Sequence, residues 1–409
     1  MGEGIYKSWL QKKVVFRPNF KKYIDNKLIK VFVGQRRTGK SYIMRQIINH
    51  LITQHKVNPK NIFYFNKEYI GLEEIKTSTQ LNNLLLFYKN KLKVKGKIYV
   101  FIDEIQNILG WEKFVNSYSQ DFSDEYEIFV TGSNSKLLSG ELSSLLAGRY
   151  VEFKIYPFSF NEYIDIHKLE KNKKTYLKFL QTGGMPELIN FNNDEVTFNY
   201  IESLKNTIIL KDIVARYKVK DVQLLESIFK FIMKNIGNLT SISNIVKYYK
   251  SVNKTTNYET VSSYISYLCE SFSVFEVERY NIRGKQILTG AKKYYLNDLS
   301  FKNYLMGVSP ADIGYNLENQ IFKQLLENNY NVNVGNYKNY EIDFIAQKNN
   351  KNIYLQVAYL LDSEKTIERE YGNLKKIRDN YPKYVVSLDD VKFDDIDGIQ
   401  HFRPWELEL

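Results

Sequence analysis

The octapeptide GQRRTGKS, Gly34 to Ser41, places two glycines, a lysine and a hydroxyl at a spacing suited to phosphate. Glycines let backbone N–H groups close around phosphate oxygens, the lysine neutralises β- and γ-phosphate charge, and the adjacent hydroxyl suits Mg²⁺. The expected nucleotide contacts are Gly34, Gln35, Arg36, Arg37, Thr38, Gly39, Lys40, Ser41 and Tyr42, with Lys40 also catalytic and Ser41 a metal ligand. A second set of polar residues ends the apolar run KIYVFIDEIQ, where Asp103 would serve Mg²⁺ and Glu104 would orient or deprotonate an attacking water. The pairing favours hydrolysis, because a protein that merely holds nucleotide needs the metal carboxylate but not the adjacent glutamate.

A third set follows in FVTGSNSKLLSGELSSLLAGRY. Ser133 and Asn134 could hydrogen-bond the γ-phosphate or the water; equally they could cap the next helix. Arg149, after a helix end rich in small residues, could neutralise transition-state charge in a neighbouring active site, or sit as a cation near a helix C-terminus.

Chemistry of this kind needs a scaffold that brings the three sets together. LIKVFV, NIFYFN, KIYVFID and YEIFVTG read as continuously apolar strands, and helical segments such as SYIMRQIINHLITQH separate them. That alternation predicts a parallel sheet covered on both faces. The loop then lies between a strand end and a helix N-terminus, where orphan N–H groups and the helix dipole favour an anion. After RYVEFKIYPFSFNEYI the pattern turns helical, with a turn at TGGMPE.

In this order GQRRTGKS, FIDEIQ, VTGSNSKLLSGELSSLLAGR, PFSFNEY and GGMPE resemble the prokaryotic AAA+ ATPases, over about residues 14 to 215. The resemblance extends to the subgroup whose ATPase core is fused to a restriction-endonuclease-like C-terminal domain. It implies an α/β P-loop NTPase (AAA+) parallel sheet over residues 1–160 and a helical lid over 161–218. It also implies ATP and Mg²⁺ as ligands, and a homo-oligomer that brings an arginine to its neighbour's γ-phosphate.

Residues 219–300 have the order of a winged helix: two short helical patterns split by a polar turn, then two alternating strands around Arg283-Gly284. NYETVSSYISYLCESF would read the groove through Asn257, Tyr258, Thr260, Ser262 and Ser263, with Lys250, Lys254, Arg283 and Lys285 on the DNA backbone. Against this, the helix itself carries no Arg or Lys, and a winged helix can also serve as a packing module. Direct DNA binding and packing both stay open.

Residues 301–409 suggest a small α/β domain, and YEIDFIAQKNNKNIYLQVAY resembles the core of the restriction-endonuclease-like fold. Glu318 and Asp343 match its first two acids, whereas Gln356 stands where a second strand carboxylate is expected and Ala358 where the lysine is. A neutral amide is a poor Mg²⁺ ligand and alanine carries no charge, so the site reads as degenerate and inactive. An unrelated α/β domain with a solvated Glu-Ile-Asp is the alternative.

The totals set outer bounds. The 409 residues carry a net charge of +12, with 44% hydrophobic and 25% charged residues, as expected of a globular chain of several domains. The positive balance favours a polyanionic partner or plain solubility. One cysteine, Cys269, permits no internal disulfide and four scattered histidines offer no zinc spacing, which fits a reducing cytoplasm. The N-terminus lacks a signal-peptide core, and no run is long enough to span a membrane. The sequence therefore reads as a cytoplasmic Mg²⁺-dependent ATPase whose cycle acts on DNA or a protein partner. The alternatives are a nucleotide-switched binding module with little turnover, or an ATP-gated nuclease, which Gln356 and Ala358 disfavour.

Overall fold

The computed structural model describes residues 24–121, 125–138, 146 and 148–409. The chain divides into two compact units, one ending at Tyr156 and including Glu270–Phe272, the other formed by Pro157–Cys269 and Ser273–Leu409.

The first unit holds five parallel strands, β1 (Ile29–Val33), β2 (Ile62–Asn66), β3 (Ile98–Asp103), β4 (Tyr126–Gly132) and β5 (Tyr150–Lys154), in the order β2-β3-β4-β1-β5. Every residue of β1 and β3 is buried, as a strand covered on both faces requires. Helix α1 (Lys40–Thr53) buries Ile43, Met44, Ile47, Ile48 and Leu51, the three-and-four spacing of one helical face, into a cluster with Phe32, Phe101 and Phe129. Helix α2 (Ser78–Leu92) starts at a reciprocal cap between Thr77 and Gln80, and α3 (Trp111–Ser119) follows β3. At the amino end of the sheet the apolar pattern breaks. Lys30 of β1 donates to Glu127 of β4 at 2.7 Å with both side chains fully buried, and Lys97 reaches the other Glu127 oxygen at 2.8 Å. Each charge is tolerated there because the others answer it.

The topology has one consequence for function. Strand β4 lies between β1 and β3, so the ends of the phosphate-loop strand and the acidic strand are two strand spacings apart, roughly 10 Å. Of the helix expected before Arg149, residues 139–145 and 147 lie outside the described residues; Ser135–Leu138 form a short 3₁₀ turn. Residues 1–23 of the expected core also lie outside them.

The second unit begins with the helices α4 (Phe160–His167), α5 (Lys173–Thr182) and α6 (Asp194–Thr207). From α6 the chain continues through a π-helical stretch, Ile208–Val214. Helices α7 (Val222–Lys234), α8 (Ile242–Ser251) and α9 (Tyr258–Glu270) then lead into the hairpin β6 (Val274–Asn281) and β7 (Gln286–Leu296). After α10 (Leu299–Met306) and α11 (Ile313–Glu327) come β8 (Asn331–Tyr337), β9 (Tyr340–Lys348), β10 (Lys351–Ala358), α12 (Glu364–Lys375), β11 (Lys383–Ser387) and β12 (Ile399–Phe402).

These strands form one seven-stranded sheet in the order β12-β11-β10-β9-β8-β6-β7. The sequence suggests a winged helix ending near residue 300 and a separate domain after it, but β6 pairs in parallel with β8 through Arg279↔Val334, Tyr280↔Gly335 and Asn281↔Asn336. The hairpin alone leaves the outer backbone groups of β6 unpaired, and β8 pairs with those at its carboxyl end, Arg279–Asn281. No helix among the described residues is long and apolar enough to cross a membrane.

Candidate functional site

The loop after β1 is shaped by two glycines. A Cβ on Gly34 would run into the carbonyl oxygen of Ile155, and Gly39 takes a left-handed conformation (φ 100°) as it caps α1. Lys40 Nζ donates to the carbonyls of Gly34 and Gln35, each at 2.9 Å, and Thr38 Oγ1 donates to the Gln35 carbonyl at 2.9 Å. The lysine ammonium is therefore held against the loop. No acidic residue lies in the first turn of α1, so nothing there opposes an anion. Arg36 leaves the loop to pair with Glu68 at 2.9 Å, Arg37 is exposed at φ 70°, and Tyr42 lies on the α1 surface beneath the Arg45 guanidinium, 5.2 Å from the ring centre.

Asp103 closes β3. Its Oδ1 accepts from Thr131 Oγ1 at 2.5 Å and its Oδ2 from Tyr64 OH at 3.2 Å. Burial, reinforced by the Asp103 charge, holds the Tyr64 phenol well above its ordinary range, so it remains a donor. Thr131 Oγ1 also accepts the amide hydrogen of Glu104 at 2.9 Å. On its other side Thr131 is paired with Phe32, two residues before Gly34. The strand register thus carries the acidic pair to the phosphate loop through one intervening residue. Glu104 is left-handed (φ 58°), and Gln106 Nε2 lies 2.5 Å from its Oε2. Tyr64, Thr131 and Gln106 escape the sequence reading. Their signal was only a polar group at or near a strand end, with nothing in the linear order to say that they meet.

The third set of residues divides. Asn134 is buried, and its Oδ1 accepts the Lys136 amide at 2.7 Å, so it caps the short turn that follows. Arg149 is not brought to the loop of its own chain. Its carbonyl accepts from Ile29 at the amino end of β1, the opposite end from Gly34, and its guanidinium donates to Asn116 Oδ1 at 3.0 Å. The length of β1 separates the two ends by roughly 16 Å.

The residues fit a Mg²⁺-bound triphosphate. Gly39 has open space where a Cβ would stand, Lys40 brings the cation, and Ser41 and Asp103 are the groups that would hold the metal.

In the second unit, Glu318 of α11 and Asp343 of β9 do converge, but on a lysine. Lys293 Nζ from β7 lies 2.9 Å from Glu318, 2.8 Å from Glu341 and 3.7 Å from Asp343. Tyr295 OH donates to Glu318 at 2.6 Å. Gln356 accepts the Asp343 amide at 2.8 Å and donates to Glu370 at 2.7 Å, while Asp343 Oδ2 accepts the Val357 amide at 2.8 Å. Burial and then the Glu318 charge raise the Asp343 carboxyl above the usual range. Burial pulls the Lys293 ammonium the other way, but the three carboxylates outweigh it and keep it protonated. An ammonium thus occupies the middle of the carboxylates. Among the described residues no group of three His, Cys, Asp or Glu could hold a metal ion. Ala358 is buried, and no lysine of β10 enters the cluster. Lys293 lies far from the Asp343 strand in sequence, which is why the motif alone could not supply it.

Of the groove-reading residues, Tyr258 is 55% exposed, whereas Asn257 caps its own helix by accepting the Thr260 amide at 2.8 Å. Thr260, Ser262 and Ser263 are half-buried, and Lys250, Lys254, Arg283 and Lys285 are exposed.

Family models match two stretches of the chain, an AAA domain over residues 26–164 and a domain of unknown function (DUF8612) over residues 173–312. A Haemophilus influenzae protein described as uncharacterized is 34% identical over 399 residues, covering 96% of this chain and 98% of its own length. An uncharacterized Methanocaldococcus jannaschii protein is 29% identical over 422 residues, covering 97% of this chain and 91% of its own. Among solved structures, the Walker-type ATPase PABY2304 of Pyrococcus abyssi aligns over 71% of this chain and 96% of its own with a TM-score of 0.50 and 16% identity, a likeness of fold.

Proposed function

The chain belongs to one family with the Haemophilus influenzae protein that it matches nearly end to end, and from its AAA domain we propose that it is a Mg²⁺-dependent ATPase. The observation that carries this reading is the hydroxyl of Thr131, which binds Asp103 and Glu104 at once, one strand away from the phosphate loop.

Loop N–H groups and Lys40 bind the phosphates, and the α1 N-terminus adds its dipole. When bound, Mg²⁺ would supply charge neutralisation to the phosphates, and Ser41 and Asp103 are the residues that would hold it. Thr131 and Tyr64 fix the Asp103 carboxylate. Glu104 takes the proton of the attacking water. Asn134, two residues past the end of the strand between, reports on the γ-phosphate. Arg149 acts in a second copy of the chain, since its own loop is beyond its reach.

The partner we favour is DNA. Lys250, Lys254, Arg283, Lys285 and Tyr258 are all exposed and offer charge for phosphates and a ring for a base. The setting is cytoplasmic. The test is ATP turnover by the full chain and by Glu104→Gln, with and without DNA at several salt concentrations. Expected are loss of turnover by about a hundredfold or more in the variant with ATP binding retained, and DNA stimulation that fades with salt. Equal turnover in the two proteins would remove Glu104 as the base, and no turnover in the parent would leave a nucleotide-switched binding module. Stimulation by a protein but not by DNA would reassign the partner.

A further inference from the structure

Gln106 lies in the turn Ile105–Asn107, where the left-handed Glu104 (φ 58°, ψ 49°) reverses the backbone and lets side chains two residues apart meet. Its Nε2 contacts Glu104 Oε2 at 2.5 Å and Ser133 Oγ at 3.2 Å. The amide nitrogen must be the atom facing the carboxylate, because the carbonyl oxygen there would set two acceptors against each other. That carbonyl oxygen, Oε1, is buried and makes no hydrogen bond among the described residues. A buried acceptor without a donor is costly, so this side chain is held in place for what its other end does.

The surroundings make room for the clamp. Position 132 is a glycine, and a Cβ there would lie 2.9 Å from Gln106 Oε1 and would also press on Leu137. Gly132 ends β4, the strand between the phosphate loop and the acidic pair, and Ser133 follows it directly. One amide therefore joins the carboxylate on the β3 side to the end of β4.

We propose that Gln106 is a positioning residue for ATP hydrolysis, clamping the Glu104 carboxylate and tying it to Ser133 at the end of β4. The inference rests on the ATPase reading above. Gln106 touches no phosphate; it acts through Glu104. A carboxylate on a flexible side chain has several rotamers, and a charge-assisted hydrogen bond from an anchored amide selects one. Reaction rate is sensitive to such placement even where binding is unchanged.

The experiment measures steady-state ATP turnover for the full chain, Gln106→Met, Gln106→Glu, Glu104→Gln and the double variant Glu104→Gln/Gln106→Met. Methionine keeps the length and removes both hydrogen bonds, while glutamate keeps the shape and sets a like charge against Glu104. The expected result is a kcat about ten- to a hundredfold lower in Gln106→Met and lower still in Gln106→Glu, with KM for ATP within about twofold of the parent. In the Glu104→Gln background the methionine substitution costs nothing further, because the group it positions is gone. A merely structural glutamine would give the same loss in both backgrounds. An unchanged kcat in both single variants, or that same loss, overturns the inference while leaving the ATPase standing. No turnover in the parent chain overturns both.

Discussion

Thr131 Oγ1 donates to Asp103 Oδ1 at 2.5 Å and accepts the amide hydrogen of Glu104 at 2.9 Å. One hydroxyl on β4 therefore orients the carboxylate proposed to hold the metal and the backbone that carries the proposed base. Thr131→Val keeps the side-chain shape and leaves the Asp103 oxygen and the Glu104 amide each short of a partner. A hydrogen bond to a charged group contributes about 1.5–3 kcal/mol, so turnover should fall roughly ten- to a hundredfold, with Thr131→Ser close to the parent. Steady-state kinetics across the two substitutions checks this; equal rates in both would show that the hydroxyl has no part.

Gly34→Ala tests the shape of the phosphate loop. The added methyl meets the Ile155 carbonyl, which is backbone and cannot step aside alone. We expect affinity for a labelled ATP to fall by about a hundredfold or more, together with a lower melting temperature. Titration of the label measures the first effect and thermal unfolding the second. Parent-like affinity would mean that the loop does not hold nucleotide in this conformation.

Lys293→Met separates the two readings of the acidic cluster. Removing one partner of a buried ion group leaves the rest uncompensated, a loss of about 3–5 kcal/mol. Adding Glu318→Gln and Asp343→Asn to Lys293→Met should recover much of that loss, since neutral amides need no counter-ion. Urea unfolding of the single and triple variants, with DNA cleavage in Mg²⁺ as a control, gives the answer. Cleavage that depends on Lys293 would show that the ammonium serves chemistry rather than closing the cluster.

His401 predicts a pH dependence. Its Nδ1 accepts the Phe393 amide at 3.0 Å, so the ring proton rides on Nε2 and faces Ser387 Oγ at 2.7 Å. Burial lowers its pKa, with Asp389 and Glu406 opposing and Lys392 and Arg403 assisting, and the fold favours the neutral ring. A base depressed in the folded state contributes stability that is complete above its unfolded value of about 6.5 and is lost as pH falls below it. The urea midpoint should therefore fall between about pH 7 and pH 5, and His401→Gln should flatten that slope. Parallel slopes for the two proteins would exclude His401 as the titrating group.

Sequence alone determined the parts whose chemistry is local. The phosphate loop works through the backbone geometry of adjacent residues, so glycine and lysine spacing records it, and the acidic pair marks a strand end because an apolar run stops there. Strand and helix alternation likewise announces a parallel sheet. What the tertiary structure decided is which polar groups meet. Thr131 and Asp103 touch because β4 pairs with β3, and Arg149 lies at the far end of β1 from Gly34 because β5 runs parallel beside it. Lys293 fills the cluster of Glu318 and Asp343, and β6 extends the last sheet, through pairings that no neighbouring residue announces. Strand partners are chosen across the whole unit, and a strand's own apolar run shows that it is buried but not which strand lies beside it.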